Sequence, residues 1–404
     1  MTQLRGGPMS SGFHLPRPIS IRAGVRPCRA GFPRGMFLPA LVIALLAMLL
    51  LPASRPLQAS PAPSSGASSA ELARYFPARF PAPASGGALS PLSPGAGADD
   101  LIPLGVWPFG PAFYTDYDED RDLLFYGTGA AVRILDLSDP SNPALVSDAL
   151  HGRGRVRAIT YESERELLFL AEEESGMEIW DVSDPVSPVW LSTTPVVVND
   201  YVAPVLDVEV ADGFAYIAAG YGFFHVFDVL DPENPGFVQG WQILNAQEVV
   251  IRGSRLVVIG DDVALFDVLG PGQLDPVTVN SAVNARGGTV LGTYAYVVRN
   301  GSIIVLDLSV LFLPVVGNYQ DPDIYLSDVV HEGPYLYTSG SDGIRVLELS
   351  DPTAPAAAGM HARGAGVLEA EGDRLYATRG SYAFWMDLTD PIDPAELGED
   401  EAPA

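Results

Sequence analysis

The chain has 404 residues, including 50 Asp or Glu and 23 Arg but no Lys, and its formal net charge is −27 at pH 7. An acidic chain of this kind repels nucleic-acid phosphates and anionic lipid headgroups, which argues against nucleic-acid binding and against membrane insertion of the mature domain. The single cysteine, Cys28, precedes an apolar run, so removal of that region would leave no thiol for a disulfide, a metal site or catalysis.

The first 59 residues predict a signal peptide with an extended basic n-region. Seven arginines and no acids lie there, and the apolar run from Phe37 to Leu51 is short for a membrane span. Cleavage before Ser60 is expected, with an uncleaved anchor as the alternative, and the start remains open among Met1, Met9 and Met36. The predicted location is extracytoplasmic, either secreted or at the cell surface.

Residues 60–98 are rich in Pro, Ala, Ser and Gly, a composition that predicts a flexible linker. Residues 99–404 are predicted to form a single domain.

A pentad of the form hydrophobic-x-hydrophobic-hydrophobic-acid recurs seven times in this domain. The pentads begin at Val132, Met177, Phe224, Val263, Ile303, Ile344 and Ala383. Their acids are 39 to 47 residues apart, which is the period of a blade of four short strands. Alternating segments separated by Gly turns accompany each pentad, and no stretch keeps a helical period. The sequence therefore predicts an all-β fold, a single β-propeller of seven blades with four antiparallel strands each.

Five pentads are followed by an Asp-Pro-x-x-Pro element. These elements begin at Asp139, Asp184, Asp231, Asp351 and Asp390. Asp accepts hydrogen bonds from nearby amides and Pro presets a turn, so a repeated turn is a better explanation than a row of metal ligands.

The pentads, followed by Ser-Asp-Pro-x-x-Pro, resemble the LVIVD-repeat proteins, which are exported prokaryotic β-propellers. The resemblance covers about residues 101–398, and repeats four and five depart from it because they lack the Asp-Pro turn. It implies the fold and export. The family has no single established activity, so the resemblance implies no substrate and no cofactor.

Ring closure is expected to involve both ends of the domain. Ile102–Val106 resembles the fourth-strand segments of other repeats and is a candidate to complete the last blade, which would leave Ala395–Gly398 redundant or on the outer edge. Which terminus supplies the closing strand stays open.

Acidic residues at alternate positions raise the question of a calcium site. They are Asp116, Asp118, Asp120 and Asp122. Because Arg121 stands where a calcium loop needs Gly, a solvated hairpin tip is the better prediction and calcium the alternative. No metal and no cofactor are expected, so a chelator should leave thermal stability unchanged.

The connections between blades carry a recurring basic motif, as in His151-Gly-Arg153 and His361-Ala-Arg363. In a propeller these connections gather around one mouth of the central channel. The predicted ligand-binding mouth comprises His151, Arg153, Arg155, Asn284, Arg286, Arg299, His361, Arg363 and Arg379. The alternative is that each arginine pairs with a nearby carboxylate.

Two functions remain open. The first is a non-catalytic binding or scaffold module, a monomer that holds an unknown protein or carbohydrate ligand at the channel mouth. The second is an extracytoplasmic hydrolase or lyase with His151 or His361 as base and arginines as anion clamps. The sequence has no nucleophile elbow, zinc-protease motif or phosphate loop, which favours binding. On that hypothesis, Arg153→Ala with Arg363→Ala weakens binding without lowering stability.

Overall fold

The computed structural model describes residues 110–198, 201–281, 283–323 and 325–403. These residues form thirty strands, of which twenty-eight make seven four-stranded antiparallel sheets. The sheets are the blades of a β-propeller, which confirms the predicted fold class. The signal peptide and the linker predicted before residue 99 lie outside the described residues. Within the described part of the chain, no helix is long and apolar enough to span a membrane.

The first three blades and one inserted hairpin come first along the chain. Blade 1 contains β1 (Ala112–Asp118), β2 (Leu123–Thr128), β3 (Ala131–Asp136) and β4 (Ala144–His151). Blade 2 contains β5 (Ala158–Glu162), β6 (Leu167–Glu172), β7 (Gly176–Asp181) and β8 (Val189–Thr194). The hairpin consists of β9 (Val197–Val198) and β10 (Tyr201–Val202). Blade 3 contains β11 (Val205–Ala211), β12 (Phe214–Ala219), β13 (Phe223–Asp228) and β14 (Gly236–Trp241).

The remaining four blades follow without a further insertion. Blade 4 contains β15 (Glu248–Arg252), β16 (Arg255–Ile259), β17 (Val263–Gly270) and β18 (Gln273–Asn280). Blade 5 contains β19 (Gly288–Leu291), β20 (Tyr294–Arg299), β21 (Ser302–Asp307) and β22 (Val315–Tyr319). Blade 6 contains β23 (Leu326–Glu332), β24 (Tyr335–Gly340), β25 (Gly343–Glu348) and β26 (Ala356–His361). Blade 7 contains β27 (Val367–Glu371), β28 (Arg374–Arg379), β29 (Tyr382–Asp387) and β30 (Ala395–Glu401).

Each pentad forms the third strand of its blade. Its acid pairs with the first residue of the second strand, as Asp136 does with Leu123 and Asp228 with Phe214. The apolar positions of second and third strands are buried, and they pack blade against blade, as Phe125 and Ile134 do with Leu168 of blade 2. The alternation of the pentads therefore supplies the interfaces between neighbouring blades.

The Asp-Pro elements form turns, as the sequence predicts. Asn142 donates its backbone N–H to the Asp139 carbonyl at 2.9 Å, and Ser141 donates its N–H to the Asp139 carboxylate at 3.2 Å. The proline carbonyls accept hydrogen bonds from the preceding blade: the Tyr296 hydroxyl donates to the Pro352 carbonyl at 3.0 Å. These turns thus also join one blade to the next.

The two repeats that lack the Asp-Pro element have differently shaped turns. In blade 4, the third and fourth strands are each eight residues long and continue to the register pair Gly270 and Gln273. In blade 5, Phe312 adopts a φ of 69° and its side chain is 75% exposed.

Ring closure uses the C-terminal end of the domain, one of the two alternatives. All four strands of blade 7 are consecutive in the chain, and β30 pairs with β29 as its outer strand. Blade 7 meets blade 1 through side chains: the Trp385 indole N–H donates to the Pro140 carbonyl at 2.8 Å, and Arg133 lies 3.1 Å from Asp400. The C-terminal segment therefore supplies the fourth strand of blade 7, and Ile102–Val106 lies outside the described residues.

Candidate functional site

A central cavity of about 190 Å³ is lined by the first strands of six blades and, at blade 5, by Arg286 and Gly287 just before β19. Seven carboxylate side chains lie on these strands within or beside the cavity: Asp116, Asp207, Glu209, Glu248, Asp328, Glu369 and Glu371. The channel is thus predominantly acidic along the first strands. The sequence offered a signal for this in the alternate acids of Asp207/Glu209 and Glu369/Glu371, because alternate residues of a strand share a face.

Several of these carboxylates bond to the adjacent blade. Asp116 accepts the Tyr161 backbone N–H at 2.6 Å, and Asp207 accepts that of Val249 at 2.7 Å. Asp328 likewise accepts the N–H of Leu368 in the next blade at 2.8 Å. The inner edge of a first strand has no neighbouring strand, so its amides need other acceptors. The channel carboxylates supply them and fasten the blades together.

Enclosure by protein changes the acidity of these groups. They remain open to the cavity but are otherwise surrounded, and burial disfavours the charged form. Burial raises the pKa of Asp116 to about 7 and that of Asp207 to about 6. Burial, followed by the negative charge of Asp207, raises the pKa of Glu209 to about 8. Burial, followed by the negative charge of Asp116, raises the pKa of Glu369 well above its usual range.

The nine residues predicted to form a basic mouth lie in several different elements. Arg286 alone among them lines the central cavity. His151 ends β4 and His361 ends β26, the outermost strands of their blades. Arg299 and Arg379 end second strands, and Asn284 donates its backbone N–H to the Asp261 carbonyl at 3.0 Å. Whether these residues bind a ligand stays a prediction.

Arg153 lies in the groove between blades 1 and 2. Its guanidinium is 2.7 Å from the buried Glu178 carboxylate and stacks over the Trp190 ring, 4.4 Å from the centroid. The backbone N–H groups of Arg153 and Gly154 donate to one oxygen of Glu172, each at 2.9 Å. The motif that begins at His151 therefore joins two blades.

Glu172, the acceptor of these two amides, is completely buried. Burial, and then the charge of Glu178, raises the pKa of Glu172 to about 8. Its other oxygen has no hydrogen-bond partner among the described residues. Gly152 packs so closely against that oxygen that a Cβ there would lie 1.6 Å from it, so the glycine is required.

Arg363 occupies the corresponding groove between blades 6 and 7. It lies 2.7 Å from Glu396 and 2.6 Å from Glu399, and its guanidinium is 4.0 Å from the centroid of the Phe384 ring. His361 Nε2 is 3.8 Å from Glu396. Arg155 lies 3.7 Å from Glu173 in the connection between blades 1 and 2. Arg155 and Arg363 therefore each lie beside a carboxylate, as the ion-pair alternative predicts.

The four acids considered for calcium make separate contacts. Asp116 accepts amides on the channel side, while Asp118 accepts the Asp120 N–H at 3.1 Å and bonds the Arg121 guanidinium. Asp122 accepts the Tyr117 hydroxyl at 2.7 Å. Among the described residues, no group of three or more His, Cys, Asp or Glu has an arrangement that could hold a metal ion.

A second pocket, of about 420 Å³, opens on the face formed by the connections between blades. It is lined by Val198, Tyr201, Val202, Ala203, Tyr221 and Phe223. These residues belong to the inserted β9–β10 hairpin, the residue after it, the turn between β12 and β13, and the start of β13. Sequence analysis did not identify it. The available signal was the 47-residue spacing between the pentad acids Asp181 and Asp228, the longest of the six.

The comparisons agree with this architecture. A family model described as the LVIVD repeat matches residues 129–150, 205–241 and 284–319. The chain is a seven-bladed β-propeller. It carries LVIVD repeats, which confirms the resemblance drawn from its sequence. No curated protein sequence matches the chain.

Two solved structures are similar in fold. One is the computationally designed Ika8 protein, with a TM-score of 0.53 and 10% identity, covering 73% of this chain and 88% of that chain. The other is a chain of the Mitotic Checkpoint Complex, with a TM-score of 0.52 and 10% identity, covering 74% and 98%. At such identity the likeness shows the fold alone.

Proposed function

We propose that this protein is an extracytoplasmic, non-catalytic binding module that holds a protein or glycan partner on the face formed by the connections between blades. The observation that carries the proposal is the apolar pocket beside the β9–β10 hairpin on that face. Repeat proteins commonly place their binding residues in insertions on one face, and this hairpin is such an insertion.

The exposure of this region supports binding. Tyr201 and Tyr221 are 75% and 72% exposed, and Val197 is also exposed. A contiguous apolar surface next to a pocket is typical of an interaction site, whereas isolated exposed apolar residues need no explanation.

The catalytic alternative has less support from the positions of its proposed groups. His151 is exposed on the outermost strand of blade 1. His361 lies on the outermost strand of blade 6, beside Glu396 of blade 7. Neither lines the central cavity, and a general base must lie within hydrogen-bond reach of the proton that it removes.

Two measurements test the proposal. N-terminal sequencing of the protein recovered outside the cytoplasm should give a start near Ser60; a full-length product confined to the cytosol would contradict export. The purified chain should bind saturably to a ligand on a peptide or glycan array and should release no product from it. Turnover of a bound ligand, with or without chelator, would contradict a non-catalytic role.

A further inference from the structure

Residues 101–109, which directly precede the described part of the chain, have a strongly apolar sequence. We refer to them as the N-terminal stretch. The stretch carries no charge and has six large apolar side chains, those of Leu101, Ile102, Leu104, Val106, Trp107 and Phe109. Because β30 is the fourth strand of blade 7, the position for which this stretch was a candidate is already filled. Apolar groups in such number favour burial against another apolar surface.

The described chain begins on the face that carries the apolar pocket. The Gly110 N–H donates to the Thr128 hydroxyl at 3.3 Å, at the end of β2. The turn from β2 to β3 lies beside the connection to blade 2, since the Val156 N–H donates to the Gly129 carbonyl at 2.9 Å. The chain therefore enters the fold on the face formed by the connections between blades.

The point of entry is also close to the pocket. Tyr114 packs against the buried cluster that contains Val198 and Ala203, two of the residues that line the pocket. The pocket belongs to blade 3, two blades from the point of entry, which is about 20 Å at the roughly 10 Å spacing of packed sheets. Nine residues span up to about 30 Å when extended. The N-terminal stretch is therefore long enough to reach the pocket.

The pocket is a formed, uncharged surface. None of its six lining residues is charged, and its volume of about 420 Å³ falls within the range of roughly 300–1,000 Å³ found for ligand pockets. The Gly220 N–H donates to the Pro204 carbonyl at 2.8 Å, which joins the inserted connection to the turn of blade 3. The Ala203 N–H donates to the Val196 carbonyl, also at 2.8 Å. A prearranged surface loses little conformational entropy when it binds.

The other cavity on the route of the chain suits the N-terminal stretch less well. The central cavity is lined by carboxylates together with Arg157 and Arg286, and apolar side chains there would leave these groups without polar partners. The stretch is also tethered to the fold, and a short tether gives an effective concentration of the order of millimolar. A free molecule or a second copy has to compete with that concentration. A second copy would also bring together two chains of formal charge −27.

We propose that the N-terminal stretch docks on the apolar pocket of its own chain and places large apolar side chains between the β9–β10 hairpin and Tyr221. The docked stretch does not depend on the proposed function, but it sets a condition on it. A partner that binds at this pocket has to displace residues 101–109 first, so the stretch acts as an intramolecular competitor.

Disulfide trapping in the full chain tests the contact. In a Cys28→Ser background, Leu104→Cys and Trp107→Cys are each combined with Tyr221→Cys, so that the introduced thiols are the only ones. A disulfide needs Cα atoms within roughly 7 Å, so a docked stretch brings the thiols together repeatedly. At least one pair should form an intramolecular disulfide about tenfold faster than the same cysteine paired with Phe312→Cys.

Phe312 is a closely matched control position. It is 75% exposed against 72% for Tyr221, and its φ of 69° is close to the 63° of Tyr221. It lies in a third-to-fourth-strand turn, at the opposite end of the strands from the connections. Equal rates at the two positions would show only random encounters of a tether and would overturn the proposal. Disulfides that mainly join two chains would assign the pocket to a second copy instead.

Binding of Nile red, a neutral apolar dye, gives an independent measurement. Leu104→Ser with Trp107→Ser should tighten dye binding about tenfold, which corresponds to a pocket that is open in about one original molecule in ten. Adding Tyr221→Ser should remove the gain. Leu89→Ser with Leu92→Ser, in the predicted linker, is the matched control and should change nothing. Circular dichroism shows whether each variant keeps its fold.

Unchanged dye binding in the Leu104→Ser, Trp107→Ser chain, or a gain that Tyr221→Ser does not remove, would contradict the docked stretch. Neither measurement uses an external partner, so failure of the docked stretch leaves the binding module standing. Conversely, an array on which the chain binds no peptide and no glycan removes the proposed function and leaves the docked stretch in place.

Discussion

Carboxylates in the channel and carboxylates in the grooves between blades have opposite relations to charge. In the channel, Asp116 and Asp207 accept backbone amides of the next blade. Glu209 lies beside the negative charge of Asp207. In the outer grooves, Glu178 and Glu396 face guanidinium groups at 2.7 Å. Burial therefore favours the protonated form of the channel carboxylates, whereas Glu178 and Glu396 each have a guanidinium group as partner.

This difference shows that the position of a charged residue along the connection between two blades decides which groups it contacts. A connection starts at the outermost strand of one blade and ends at the innermost strand of the next. Its first residues, such as Arg153, reach the outer groove, while its last residues, such as Arg157 and Arg286, reach the cavity. The predicted mouth combined both kinds of position.

The largest expected effect is on the pH dependence of stability. Folded-state pKa values of about 6 for Asp328, 7 for Asp116 and 8 for Glu371 exceed the ordinary values of 3.8 and 4.5. The folded protein therefore binds more protons than the unfolded chain, and this stabilisation is complete below about pH 4 and lost as pH rises toward 8. We expect Asp328 and Asp116 together to lower the free energy of unfolding by roughly 4 kcal/mol from pH 5 to pH 8, and Glu371 to lower it further.

Urea unfolding at a series of pH values measures this dependence. Below pH 4 the turn aspartates work in the other direction, because hydrogen bonds from Ser138 lower the pKa of Asp136. Maximum stability is therefore expected near pH 5. Stability that rises steadily from pH 5 to pH 8 would contradict the account of the channel.

The second prediction concerns the outer groove. Glu178→Ala removes the acceptor of the Arg153 guanidinium, the Thr193 hydroxyl and the Trp180 indole N–H. We expect the free energy of unfolding to fall by about 2–3 kcal/mol, because buried donors lose their partner. Thermal unfolding of this variant beside Glu164→Ala, at an exposed hairpin tip, tests the prediction. Equal melting temperatures would show that the groove contributes nothing.

Arg153→Ala should have a smaller effect of the same sign. The Arg153 side chain is 52% exposed, but its removal leaves the buried Glu178 without its cation. We expect a loss of about 1–2 kcal/mol, measured by urea unfolding at pH 7. This replaces the expectation that the substitution leaves stability unchanged. A variant as stable as the original protein would restore that expectation.

Glu209→Gln should have an effect of the opposite sign. It removes an enclosed carboxyl group whose pKa burial raises to about 8, so no charge remains to be accommodated. We expect no change at pH 5 and a gain at pH 9 of at most roughly 5 kcal/mol, from paired urea titrations. A loss at both pH values would mean that Glu209 has a structural role that the amide does not replace.

Repeat chemistry made much of the fold predictable. The pentads occupy third strands, and Asp139 and its equivalents form the predicted turns. The last blade was less predictable, because Ile102–Val106 and Ala395–Gly398 both have the pattern of a fourth strand. A local pattern does not say which of two similar segments pairs with β29, and the structure pairs it with β30.

The sequence by itself determined the local structure: the period of the blades, the alternation that buries pentad side chains, and the turn at each Asp-Pro. These depend on neighbours in the chain. Only the tertiary structure decided which charges share a space. Asp116 and Glu369 are 253 residues apart, yet ring closure places them in one channel, where the charge of Asp116 disfavours ionisation of Glu369. The pocket lined by Tyr201 and Tyr221 likewise exists only because an insertion after blade 2 packs beside a turn of blade 3.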